Sequence, residues 1–277
     1  MQITYADNNV YITDAHFGLE QTLDCGQAFR FAKTPDGLWR GVVGRRELTL
    51  EQRGQTVILC HMPRDLFKSV YYRYFALDMD YDQILAVFSA DETLKQAIGM
   101  ADGLRVLRQD KWETICSFIL SQNNNIPRIK GIIARLCACF GDRIGKDAYT
   151  FPTAQTLAAL TVEDLAPIRA GFRAKYVIDA AQKVAGGIID LSALETLPID
   201  RAREMLYQIK GVGPKVAECI LLFSCSRFEA FPLDVWIKRV MAALYPDGLP
   251  VCTTGMEGIA QQYLFYYARN IRLKSQI

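Results

Sequence analysis

Ile209-Lys210-Gly211-Val212-Gly213-Pro214-Lys215-Val216-Ala217-Glu218-Cys219 reads as a helix end, a glycine hairpin and the start of a second helix. Gly211 and Gly213 permit positive φ and close approach of a ligand to the backbone. Pro214 suits the first position of a helix, where its missing N–H is not needed. The free amides and positive partial charge of such a helix start suit a phosphate. Lys215 follows on the first turn, and Cys219, four residues on, shares its helix face. Nineteen positions after Lys215, Phe231-Pro232-Leu233-Asp234 supplies a carboxylate. A lysine at the mouth of an anion-binding hairpin with a carboxylate downstream suggests amine chemistry on a nucleic-acid sugar. Two plainer readings stand beside it. Lys215 also suits a surface phosphate contact, and Asp234 suits the N-cap of a helix beginning at Val235.

Outward from the hairpin, the 277 residues are 51% hydrophobic and 22% charged, ordinary globular composition for one large or several smaller domains. A net charge of +2 requires any basic surface to be local. The eight cysteines form no paired CxxC knuckles and sit mostly in apolar runs, which favours reduced core thiols over a zinc or iron–sulfur site; no cofactor is expected. The N-terminus lacks a basic-then-apolar leader, and no run has the length of a membrane span. The expectation is a soluble protein with no membrane partner, not secreted.

Residues 1 to about 60 contain short β-prone runs at Val10–Ile12, Ala28–Phe31, Leu38–Val43, Glu47–Leu50 and Thr56–Leu59. Turn material such as Pro35-Asp36-Gly37 separates them, predicting antiparallel hairpins or a meander. From about residue 79 the spacing becomes helical, through 81–88, 94–97 and 112–120. An apolar stripe of Ile126, Ile129, Ile133, Leu136 and Phe140 then stops at Gly141. Further helices are predicted at 161–169, 173–185, 200–209, 214–226, 235–244 and 255–269. The fold class is α+β: an N-terminal antiparallel sheet domain, 1–95, followed by a mainly helical region, 96–277, with the hairpin at 207–216.

Four stretches carry a more specific resemblance. They are Cys25-Gly26-Gln27-Ala28-Phe29-Arg30; Ser121-Gln122-Asn123-Asn124-Asn125-Ile126-Pro127-Arg128; Gly171-Phe172-Arg173-Ala174-Lys175-Tyr176; and the hairpin with Pro232–Val235. Ala260-Gln261-Gln262-Tyr263-Leu264-Phe265 adds a weaker fifth. Together they resemble the 8-oxoguanine DNA glycosylase/AP lyases of the helix-hairpin-helix superfamily with a Gly/Pro-rich loop and catalytic Asp (HhH-GPD), of the type that includes the eukaryotic enzyme.

The resemblance implies base excision repair of double-stranded DNA containing oxidised guanine by a monomer, in the cytoplasm at a bacterial nucleoid or in a nucleus. Lys215 is then the nucleophile that forms a Schiff base, and Asp234 the charge stabiliser and proton handler. A free lysine titrates near about 10.4, and attack needs the neutral amine. The implied base pocket comprises the Gly26 carbonyl, which accepts the lesion's N7–H, with Cys219, Gln261 and Phe265. Gln261 and Phe265 lie four apart, on one helix face. Asn123 is implied to fill the gap left by the extruded base, Phe172 to wedge the stack, and Arg128 and Arg173 to contact the orphan cytosine. Carbonyls of Tyr207, Ile209 and Val212 correspond to a structural cation site that leaves no sequence signal.

Two features depart from the pattern. Trp236 stands where eukaryotic-type members carry a phosphate-touching histidine, and only twelve residues follow Phe265, which makes cluster-bearing relatives a poor match. Two other readings are an alkylated-purine glycosylase, which typically uses the aspartate without the lysine, and a catalytically silent helix-hairpin-helix DNA-binding module.

Overall fold

The computed structural model describes residues 1–271. Six strands form one antiparallel sheet in the order β1-β2-β6-β5-β4-β3. They are β1 (Gln2–Ala6), β2 (Asn9–Thr13), β3 (Phe31–Lys33), β4 (Trp39–Val43), β5 (Arg46–Arg53) and β6 (Thr56–Cys60). Alternation puts every second residue on one face. Val10 pairs with Leu59, Ile12 with Val57, Leu50 with Leu59 and Gly41 with Leu48. Helix α1 (Leu19–Leu23) packs on that face. So does a helical run made of α2 (Arg64–Leu66), a π turn at Phe67–Tyr71 and α3 (Tyr72–Tyr74), which contributes Phe67 and Tyr71.

The helical body contains α4 (Tyr81–Phe88), α5 (Glu92–Met100), α6 (Lys111–Ser121), α7 (Ile126–Phe140), α8 (Ala154–Ala158) and α9 (Ala174–Ala185). After these come α10 (Ile199–Tyr207), α11 (Pro214–Cys225), α12 (Val235–Leu244) and α13 (Glu257–Asn270). At its centre α6 lies against α11, with Phe118 and Phe223 stacked at 5.3 Å between ring centroids. Side-chain caps fix the starts of several helices: Asp80, Asp91, Asp110, Asn125, Thr153 and Asp234 each accept a backbone N–H.

Three local expectations change. The chain opens with β1, joined to β2 through Asp7 and Asn8, both at positive φ, as a two-residue hairpin turn requires. The predicted strand at Ala28–Phe31 is a turn as far as Arg30, with only Phe31 entering β3. This segment lies between the two cores and serves both. Cys25 and Phe29 belong to the helical core, while Ala28 and Phe31 belong to the sheet core. The predicted helix at 161–169 is a set of turns with a 3-10 turn at Ala166–Ile168. Pro167 lacks the amide that a regular helix needs, and Thr161 and Asp164 bond to each other instead.

The two layers are stitched by buried polar side chains. Gln27, 1% exposed, donates to the carbonyls of Thr22 (2.8 Å) and Arg105 (2.7 Å) and accepts the N–H of Leu107 (2.9 Å). Arg105 pairs with Asp14 at 2.7 Å, donates to the carbonyls of His16 and Ala76, and lies 4.4 Å from the Tyr81 ring centroid. Arg30, which ends the loop, pairs with Glu113 of α6 at 3.1 Å. Gln27 thus clamps the loop that presents Gly26. Gln27→Leu should destabilise the fold by about 3 kcal/mol, because it strands a buried amide and two carbonyls. Urea unfolding of the purified variant measures this, and a change below about 0.5 kcal/mol contradicts the clamp.

Candidate active site

The hairpin leaves α10 at Tyr207 and enters α11 at Pro214. Gly211 has φ +83°, and a Cβ there would meet the Tyr176 ring at 2.6 Å, so turn and packing both demand glycine. Gly213 is extended backbone instead, with open space on its Cβ side. The expectation of positive φ therefore holds for Gly211 and not for Gly213. Asp179 of α9 anchors the turn, accepting from the Lys210 amide (2.8 Å) and from Lys183 Nζ (2.9 Å). Burial alone would raise the Asp179 carboxyl, but these bonds and the two lysine charges outweigh it and hold it below the usual range.

Lys215 sits in the first turn of α11, half-buried, with Nζ 5.2 Å from the Phe118 ring centroid. Every residue after it in α11, from Val216 to Cys225, is buried. Asp234 is the N-cap of α12, where Oδ1 accepts the N–H of Ile237 at 2.8 Å. The capping role of Asp234 is therefore real, and it leaves Oδ2 outside that bond. The two elements are tied together by Glu218, 8% exposed. Its carboxylate takes Arg203 of α10 through two bonds (2.7 and 3.2 Å) and the N–H of Phe231 (2.7 Å), three residues before Asp234.

Lys215 and Asp234 line one cleft of about 960 Å³. Gly26, Asn123, Gly211, Gly213 and Phe265 line it too, from the sheet-side loop, the α6–α7 turn, the hairpin and α13. Gly26 has φ +89°, and a Cβ there would lie 3.4 Å from Ile126 and 3.9 Å from Phe265. Trp236 also faces the cleft, with Arg239 5.5 Å from its ring centroid. Cys219 and Gln261, each 2% exposed, do not line it. Cys219 stands behind Lys215: burial pushes its thiol up, partly opposed by the lysine. Gln261 Nε2 donates to the carbonyl of Pro232 at 3.1 Å.

The three asparagines divide their work. Asn124 donates to the Leu120 carbonyl and accepts the Asn125 amide, while Asn125 caps α7 through the Arg128 amide. Asn123 is exposed at φ +47°, and its side chain makes no hydrogen bond among the described residues. Arg173 lies on the far side of this turn, 3% exposed. Its guanidinium donates to the carbonyls of Gln122, Asn123 and Ala170. Burial first, and then the neighbouring Arg128, pull its pKa below the usual range. Arg128 itself is exposed. Phe172 is 50% exposed and stacks on Arg173 at 4.4 Å. Neither arginine lines the cleft, and nor does Phe172.

Several cleft residues escaped the sequence reading. Arg269 lies 5.5 Å from the Phe265 ring centroid and lines the cleft with Lys238. Its spacing of four from Phe265 was the available signal. Glu218 offered none, because nothing local marks an acid in a helix as buried. Among the described residues no three or more His, Cys, Asp or Glu side chains gather as a metal site. At the hairpin, the Ile209 carbonyl already accepts the Val212 amide at 3.0 Å.

Comparison with known proteins supplies a family. Residues 9–115 match the 8-oxoguanine DNA glycosylase N-terminal domain, and residues 116–248 match the HhH-GPD superfamily base excision DNA repair protein. The chain is 30% identical over 250 residues to Arabidopsis thaliana N-glycosylase/DNA lyase OGG1, spanning 85% of this chain and 68% of that one. It is similar to the solved Clostridium acetobutylicum 8-oxoguanine glycosylase/lyase in complex with double-stranded DNA containing cytosine opposite 8-oxoguanine. That likeness has 35% identity, a TM-score of 0.91 and 99% coverage of each chain. A structure of MBOgg1 in complex with a low-affinity DNA ligand is 41% identical, with TM-score 0.91 and coverage of 98% of this chain and 99% of that one.

The contacts of Arg173 assign it a structural task at the Asn123 turn. Arg173→Met should lower stability by about 2 kcal/mol, since three carbonyls lose the buried guanidinium that donates to them. It should also raise hydrogen exchange at the amides of 122–125. Unchanged exchange there would show that the guanidinium does not hold the turn.

Proposed function

The chain belongs to the 8-oxoguanine DNA glycosylases of the HhH-GPD base-excision superfamily, and from that premise we propose that its cleft extrudes, excises and then cleaves at 8-oxoguanine in duplex DNA. The observation that carries the residue assignment is the meeting of Lys215 and Asp234, from two helix starts, on one cleft. Neutral Lys215 Nζ attacks C1′ of the extruded nucleotide. The glycosidic bond breaks, and the base leaves with the bond's electron pair and takes up a proton. Positive charge that builds on the sugar is stabilised by the Asp234 carboxylate. Ring opening gives a Schiff base between Nζ and C1′. Loss of a C2′ proton then expels the 3′ phosphate by β-elimination, and water releases the lysine. The free amides at the start of α11 and the Gly213 backbone, open to solvent, suit the phosphates on either side.

The base pocket is assigned to Gly26, Phe265, Cys219 and Gln261. A flipped base needs a stacking plane and hydrogen bonds to its edges. Phe265 offers the plane, and Gly26 is its neighbour, since a Cβ there would lie 3.9 Å from the ring; the loop carbonyl is assigned to the base edge. Cys219 and Gln261, buried in this structure, complete the pocket in this reading: Cys219 lies one turn beyond Lys215 and Gln261 one turn before Phe265. Asn123, exposed and without side-chain bonds among the described residues, suits the vacated gap, and exposed Phe172 suits the wedge. Arg128 is the freer of the two arginines to meet the orphan cytosine. Arg173 reaches it only by giving up carbonyl contacts. Trp236 offers an indole N–H to phosphate. The hairpin carbonyls of Tyr207 and Val212, with the second lone pair of Ile209, remain the place for a structural cation.

No helix among the described residues is long and apolar enough to cross a membrane. The substrate places the enzyme with chromosomal DNA, at a nucleoid or in a nucleus, acting as a monomer on residues 1–95 and 96–277 jointly. An alkylated-purine glycosylase or a silent DNA-binding module leaves Lys215 at most a phosphate contact and gives the Lys215–Asp234 pair no chemistry.

Borohydride should trap the wild-type protein covalently on duplexes with 8-oxoguanine opposite cytosine, and Lys215→Gln should abolish the adduct. Persistence of the adduct in that variant rejects the nucleophile. Gly26→Ala strains a backbone held at positive φ. It should reduce the excision preference for 8-oxoguanine over guanine by about tenfold, the equivalent of one hydrogen bond. Unchanged discrimination rejects the carbonyl role.

A further inference from the structure

Beside the cleft lie three buried polar side chains, of which the proposed function uses only Gln261: Cys25 at 1% exposure, Gln261 at 2% and Gln262 at 4%. They form one chain. Cys25 Sγ, which shares its proton with the Thr22 carbonyl at 3.6 Å, donates to Gln262 Oε1 at 3.8 Å, Gln262 Nε2 donates to Gln261 Oε1 at 2.6 Å, and Gln261 Nε2 donates to the Pro232 carbonyl at 3.1 Å. One end adjoins Gly26, and the other lies two residues before Asp234. The chain runs in one direction only. The Pro232 carbonyl can only accept, so Gln261 must present its NH₂ there and its oxygen to Gln262. Burial pushes the Cys25 thiol up to about 11, so Sγ keeps the proton that the first bond needs. Turning either amide by half a rotation would set two acceptors or two donors against each other in a dry site.

We propose that Gln262, held by Cys25, is a positioning residue that fixes the amide polarity of Gln261 and so the type of purine edge the pocket accepts. This rests on the reading of Gln261 as a base-contacting residue. After its two internal bonds Gln261 keeps one N–H and one lone pair for a ligand. A guanine-type edge presents donors at N1 and N2 beside an acceptor at O6. An adenine-type edge reverses that order, with a donor at N6 beside an acceptor at N1. A Gln261 amide locked in one orientation matches the first and opposes the second. A freely turning amide discriminates between them poorly. The relay therefore selects 8-oxoguanine against 8-oxoadenine, which the Gly26 carbonyl cannot do, because both carry the N7–H.

The test compares wild type, Gln262→Met, Cys25→Ala and Cys25→Ser in single-turnover assays. Three duplexes are used, carrying 8-oxoguanine, 8-oxoadenine or a preformed abasic site opposite cytosine. Gln262→Met should slow 8-oxoguanine excision by about tenfold and narrow its preference over 8-oxoadenine, the expected loss when one buried bond no longer orients the amide. Cleavage at the abasic site, where no base is read, should stay within about twofold of wild type by the same reasoning. Cys25→Ala should shift in the same direction, and Cys25→Ser, which keeps a donor, should restore the preference and serves if Gln262→Met fails to fold. Parallel loss on all three duplexes, or an unchanged preference in both Gln262→Met and Cys25→Ala, overturns the proposal. If Gln261→Met itself leaves 8-oxoguanine excision untouched, the base-contacting role fails and the relay fails with it. The chemistry of Lys215 is judged separately by trapping.

Discussion

The burial of α11 governs the site. From Val216 to Cys225 the helix has no solvent-facing residue, so its first turn is the last place where it can offer a charge to a substrate. Lys215 occupies that turn. The ring of Phe118 lies beside the amine, and the same α6 residue stacks on Phe223 deeper in α11. The packing that buries the helix thus also delimits where the lysine can point. Glu218 is the one acid admitted to the buried part. A carboxylate in such a place must be paired, and its partners are Arg203 and the Phe231 amide. Pairing the charge therefore also fixes the spacing between the hairpin and the segment that carries Asp234.

A second constraint comes from the seam between sheet and helices. The Cys25–Arg30 loop belongs to both cores at once, with Cys25 and Phe29 in the helical core and Ala28 in the sheet core. Its backbone is not paired as a strand; Gln27 satisfies the Arg105 carbonyl and the Leu107 amide, and Arg30 reaches Glu113. The consequence is a rigid turn with Gly26 at its cleft-facing point. The sheet, distant from the lysine in sequence, in this way contributes a wall of the pocket. Next to Gly26, α13 brings Phe265 into the lining.

Much of this was legible in the chain because helix starts leave local marks. Gly-Pro before Lys215, and Pro-Leu-Asp before Val235, identify two helix N-termini, and residues there must face outward at least in part. The broad division into an antiparallel sheet and a helical body followed from a change of apolar period. The failures have equally local causes. β1 escaped because its alternation, Ile3 and Tyr5, is too short to stand apart without its Asp7-Asn8 turn. Ala28–Phe31 imitates a strand because its residues are β-prone, but Phe29 and Phe31, which a strand would put on one face, belong to different cores. The 161–169 segment has helical spacing but carries Pro167. Buried polar residues such as Gln262, Glu218 and Arg173 were illegible in their tasks, since partners 15 to more than 200 residues away decide them. The asparagine triplet lies between these cases: three in a row signalled more than capping, and only coordinates could show that two cap and one is spare.

The central claim is that Lys215, and no other amine, performs the covalent chemistry. Peptide mapping by mass spectrometry of the wild-type adduct, formed with borohydride on a duplex carrying 8-oxoguanine opposite cytosine, tests it directly. The account predicts that the sugar remnant is found on Lys215. A remnant on Lys238, on the N-terminal amine or spread over several lysines would contradict it.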